Sequence, residues 1–199
     1  MSLNADSQKR TYKMIASLLV AIACGFCYGY DLSSLNTTHK EVKCWIHSLN
    51  NNLDYQQTCQ VLNGNYSSID LSNSEIISKY SLISSIAFGG AIATAFLGGL
   101  LMDGLGRLRG QLVALILSLM GTILSGTAIY SNSYISIVIG RLLSGLAIGF
   151  FTTITPVYLQ EIAPKGQDGP FSMIFFTAFN FGVIQGVHVC LYGCEKIES

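Results

Sequence analysis

A chain of 199 residues that is 50 % hydrophobic and 11 % charged falls well short of the charged surface of a soluble domain, about 25 %. Its formal net charge is zero, which leaves no electrostatic ground for nucleic acid or another strongly charged partner. Mean hydropathy is +0.48, and the apolar residues lie in blocks, without the periodicity of a single soluble core.

The first block runs from Met14 to Leu35 and follows Lys9, Arg10 and Lys13. It contains Cys24 and Cys27, and it closes on Tyr28-Gly29-Tyr30-Asp31. A cleaved signal peptide is the alternative reading of this block. The apolar run is long for one, however, and no clean small-x-small site follows it.

A polar loop rich in Asn, Ser, Tyr and Gln then spans residues 36–79. It holds Cys44 and Cys59, which on an oxidising face either form a disulfide that stiffens the loop or stay as two thiols. Two sequons occur, at Asn36 and Asn65. Asn65 is the better glycosylation candidate, because Asn36 abuts the membrane.

The second block runs from Tyr80 to Met102, and the third from Gln111 to Tyr130. Between them Gly98 to Arg109 packs glycines around Asp103, Arg107 and Arg109, a turn that returns to water. The fourth block, Ile135 to Leu159, contains Arg141 and Pro156, and the proline is expected to loosen its helix. The fifth runs from Pro170 to Leu191, and residues 192–199 form a polar tail.

Each block approaches the ~20 residues that cross a hydrocarbon core of roughly 30 Å. Backbone groups in lipid must be satisfied internally, so the blocks are predicted helices. The fold class is therefore an all-α membrane protein with about five transmembrane helices. Residues 1–13 precede the bundle, 14–191 form it, and 192–199 follow it. Small residues such as Gly89, Gly90, Gly98, Gly140 and Gly145 suit close helix packing. Lys9, Arg10 and Lys13 place the N-terminus in the cytoplasm. Arg107, Arg109 and Lys165 then also fall inside.

Charges inside spans are costly and mark function. Asp31 and Arg141 fall at similar depth on spans of opposite direction, so they can pair. A static salt bridge or two interfacial charges is the bland reading. The functional reading is a carboxylate that gains and loses a proton as its surroundings change. His39, His47 and His188 lack the spacing of a metal site. The Cys24–Cys27 spacing inside an apolar helix is assigned no redox role. No nucleophile–base set or phosphate loop suggests an enzyme, and no cofactor is expected.

Three motifs in order carry a family resemblance. Gly99 to Arg107 fits G-x-x-x-D-x-x-G-R, and Tyr28 to Asp31 fits F-G-Y-D except in its first residue. Gly140-Arg141 to Gly149, followed by Pro156-x-Tyr158-x-x-Glu161-Ile162-Ala163-Pro164, completes the set. Over residues 14–185 the chain resembles the sugar porter family of the major facilitator superfamily, and its loop cysteines resemble those of protozoan hexose transporters.

The resemblance implies alternating-access transport of a glucose-like hexose in the plasma membrane, with the spans matching the first five of twelve helices. The implied partners are a monosaccharide, the lipid bilayer and protons. Asp31 matches the proton-coupling carboxylate of symporting members and Arg141 its basic partner. Asp103, Arg107 and Glu161, with Arg109 nearby, match the cytoplasmic gate network. Leu108 interrupts the usual basic pair, and Asp168 stands where a basic residue is usual. Phe176 occupies the place of a sugar-binding Gln, so Phe176, Asn180 and Gln185 become the substrate-binding candidates. Five spans imply a truncated transporter that lacks a complete sugar site, or a non-transporting regulatory or degenerate membrane fragment.

Overall fold

The computed structural model describes residues 2–51, 53, 73–164 and 166–198. They form six helices: α1 (Ser2–Thr37), α2 (His39–Asn50), α3 (Ser74–Leu105), α4 (Arg107–Ser131), α5 (Tyr134–Ile162) and α6 (Asp168–Glu198). All except α2 are long and apolar enough to cross a membrane. Cys59, Asn65 and Lys165 lie outside the described residues, as do the side chains of Lys9, Arg10, Asp103 and Asp168.

Each long helix contains one apolar block and runs past it, because helices end where the backbone is interrupted. Gly106 alone separates α3 from α4. Its φ of 79° and ψ of 146° belong to a region essentially reserved for glycine. Asn132 ends α4 in the left-handed region at φ 47°, which Asn tolerates better than most residues. Pro164 holds Ala163 extended, at ψ 141°, and so stops α5. Pro156 lies inside α5, which continues through it to Ile162.

The described start of the polar stretch after the first span forms a helix. Within it α2 places Val42, Trp45, Ile46 and Leu49 at helical spacing and buries Cys44, Trp45, Ile46 and Ser48. Trp45 and Ile46 join Leu35, Ile76, Ile83, Ala128 and Ile137 in one apolar cluster. A polar clip fixes the far end of α2: Lys79 Nζ lies 2.5 Å from Asn50 Oδ1 and 2.9 Å from Glu75. Cys44 is disulfide-bonded, while Cys24, Cys27 and Cys190 are free thiols.

Helix α1 packs chiefly on α6, and α5 packs on both α3 and α4. These contacts bring backbones together. A Cβ added at Gly29 would overlap the Phe179 carbonyl, and one at Gly145 the Ala87 carbonyl. Small residues thus do what bulk would prevent, which is the way helices associate in lipid. Large apolar side chains cover the outside: Phe96 is 82 % exposed and Leu119 62 %.

Candidate functional site

Asp31 sits six residues before the end of α1, and Arg141 two turns into α5. Asp31 is 8 % exposed and Arg141 half-buried. Both line a cavity of about 340 Å³ between α1, α3 and α5, together with Tyr28, Phe88, Ala91 and Ser144. Both also border a second cavity, at the α2 end of the bundle.

The two charges face each other without pairing. Among the described residues, the ion pairs within 4.0 Å are Lys79–Glu75 and Arg107–Glu161. Arg141 Nε is buried and has no hydrogen-bond partner among the described residues. Ser118 on α4 donates to Asp31 Oδ2 at 3.5 Å, a long and therefore weak bond. Asp31 and Arg141 thus line one cavity without an ion pair between them, and Asp31 takes a weak hydrogen bond from Ser118 instead.

The opposite end of the bundle carries a second charged contact. Arg107, at the first position of α4, pairs with Glu161 on the last turn of α5. The Gly106 joint and the Pro164 stop set these helix ends beside one another. Both side chains are partly exposed, at 35 % and 44 %, where ion pairs are weak. Arg109 is exposed and makes no ion pair among the described residues. A further link ties α1 to α5 at this end, where Ser17 Oγ and the Tyr158 hydroxyl lie 2.6 Å apart.

Phe176, Asn180 and Gln185 are not brought to Asp31. None of the three lines either cavity that Asp31 borders. The reason is how α6 lies on α1. Its packed face is the stripe Phe175, Ala178, Gly182 and Gly186, which leaves Phe176 half-exposed and Asn180 exposed. The Asn180 amide donates to the Phe176 carbonyl at 2.8 Å and is occupied by its own helix.

Ser118 and Trp45 are contributors that charge and motif do not flag. Ser118 belongs to a buried stripe on α4, with Gln111, Ala114 and Gly121. The three- and four-residue spacing of that stripe is the signal that marks it.

Membrane-length helices around a buried carboxylate and a half-buried guanidinium, neither ion-paired among the described residues, define an all-α membrane protein of the major facilitator type. Residues 17–198 match the family described as "Sugar (and other) transporter". The chain belongs to that sugar transporter family.

Its relatives include facilitated glucose transporter member 2 of Bos taurus, 32 % identical over 196 residues, covering 88 % of this chain and 38 % of that protein. Hexose transporter 1 of Toxoplasma gondii is 32 % identical over 174 residues, covering 85 % of this chain and 28 % of that protein. Facilitated glucose transporter member 3 of Homo sapiens is 27 % identical over 192 residues, covering 96 % and 35 %. The chain thus spans well under half the length of these relatives.

Proposed function

We propose that this chain takes part in moving a glucose-like hexose across a membrane by alternating access. The observation that carries the reading is buried Asp31 and half-buried Arg141 on separate helices across one cavity, with no ion pair to either among the described residues. A buried carboxylate whose partner stands off responds to any motion of α5 against α1, so its proton affinity changes with conformation. Asp31 is the proposed proton carrier and Arg141 the group that sets its charge state.

The Arg107–Glu161 contact is the proposed cytoplasmic latch, with Asp103 and Arg109 beside it. A half-exposed ion pair opens at modest cost, which suits a gate that must release in every cycle. The N-terminus is proposed to face the cytoplasm at the plasma membrane, with α2 outside. On that side Cys44 would bond Cys59, and Asn65 would carry a glycan.

A second reading is a membrane protein that does not transport. It is favoured by Phe176, Asn180 and Gln185, which present no polar anchor to the Asp31 cavity. Uptake of labelled D-glucose separates the two readings. It is measured in cells expressing this chain alone, and in cells expressing it joined to the C-terminal portion of the cattle relative. Saturable uptake in either arm supports transport, and uptake at the background level in both supports the second reading.

A further inference from the structure

Pro156 leaves the last stretch of α5 one hydrogen bond short. It has no N–H, so the Thr152 carbonyl goes without the bond that an unbroken helix would give it. Just before it, two hydroxyls turn back onto their own helix. Thr153 donates to the Gly149 carbonyl at 2.8 Å and Thr152 to the Ile148 carbonyl at 3.1 Å, a pattern that bends helices slightly. Residues 157–162 therefore depend more than the rest of α5 on contacts with other helices.

Leu159 gives them an apolar seat, fully buried in the cluster that holds Ala21 and Cys24 of α1. Apolar burial is non-directional and does not by itself fix how the turn is aimed. Tyr158 supplies the direction. Its hydroxyl lies 2.6 Å from Ser17 Oγ, and Ser17 is 3 % exposed. Ser17 Oγ also lies 2.7 Å from the Lys13 carbonyl of its own helix. A carbonyl only accepts, and a serine hydroxyl has one proton to give. Ser17 therefore donates to Lys13, and the Tyr158 hydroxyl donates to Ser17. Glu161 stands three residues beyond Tyr158, where helical side chains are neighbours, and it pairs with Arg107 of α4. One turn of α5 thus reaches α1 through an uncharged hydrogen bond and α4 through an ion pair.

We infer that Tyr158 is a positioning residue for the Arg107–Glu161 contact, with Ser17 as the acceptor that fixes it. The inference rests on the latch proposed above. A partly exposed ion pair between long side chains is worth little unless its geometry is held. The Tyr158 bond holds it, by anchoring the turn that carries Glu161 to a buried hydroxyl on α1.

The test measures how far Glu161→Gln lowers the unfolding midpoint of the full chain in detergent, at low and at high salt. The measurement is made in the unaltered sequence, in Tyr158→Phe and in Ser17→Ala. In the unaltered sequence the midpoint should fall at low salt and fall less at high salt, because salt screens an exposed pair. In Tyr158→Phe and in Ser17→Ala the shift caused by Glu161→Gln should be largely lost. Independent sites give additive effects, so an undiminished shift in either hydroxyl variant overturns the positioning role and leaves the latch standing. No shift with Glu161→Gln in the unaltered sequence overturns the latch, and the positioning role with it.

Discussion

Asp31 is the residue proposed to carry coupling. It is buried, weakly hydrogen-bonded by Ser118, and separated from Arg141 by more than an ion-pair distance among the described contacts. Asparagine at this position keeps the shape and removes the titration. Asp31→Asn is therefore expected to abolish pH-driven, uphill sugar accumulation while sugar exchange survives. Accumulation at the unaltered level would make Asp31 a structural charge.

A different residue tests the cost of burial. Gln111 is 1 % exposed, and neither amide atom has a partner among the described residues. An apolar group of similar size removes that desolvation cost. Gln111→Leu is thus expected to leave thermal stability unchanged or to raise it by about 1 kcal/mol. A lower unfolding midpoint in detergent would show that the amide is paired in the folded protein.

At the scale of the element, close backbone approach decides the packing. A Cβ at Gly145 overlaps the Ala87 carbonyl, whereas a Cβ at Gly126 meets nothing within 4 Å. Gly145→Ala should therefore cost about 1–3 kcal/mol by forcing α3 and α5 apart. Gly126→Ala should cost nothing, since alanine is the better helix former. Equal unfolding midpoints for the two variants would contradict this packing.

The long helices were legible in the sequence because lipid leaves no alternative for an apolar block. Their ends were less so: Gln111 to Tyr130 becomes Arg107–Ser131, since Gly106 and Asn132 fix the limits and hydropathy does not. Helix α2 was hidden by its polar residues, although Val42, Trp45, Ile46 and Leu49 already carry the helical spacing. Asp31 and Arg141 were legible because a charge stands out in an apolar span. Ser118 was not, because an uncharged hydroxyl bonds its own helix as readily as a neighbour. The face that α6 presents to α1 was likewise hidden. An almost wholly apolar helix has no polar side, and the small residues Ala178, Gly182 and Gly186 choose the contact instead.

At the scale of the whole molecule, the bundle has a charged contact at one end, an amphipathic cover at the other, and Asp31 and Arg141 between them, with no ion pair to either among the described residues. Arg107–Glu161 holds α4 to α5, and α2 with its Lys79–Asn50–Glu75 clip closes the far end. A carrier of the alternating-access kind needs ends that open in turn around a site that never joins both sides. Counterflow in proteoliposomes tests that claim most directly, using this chain joined to the C-terminal portion of the cattle relative. Vesicles are preloaded with unlabelled D-glucose and exposed to a trace of labelled D-glucose. The expected result is a transient accumulation of label above equilibrium, absent when the vesicles hold L-glucose. Monotonic filling that is the same with either preload would contradict an alternating-access sugar carrier.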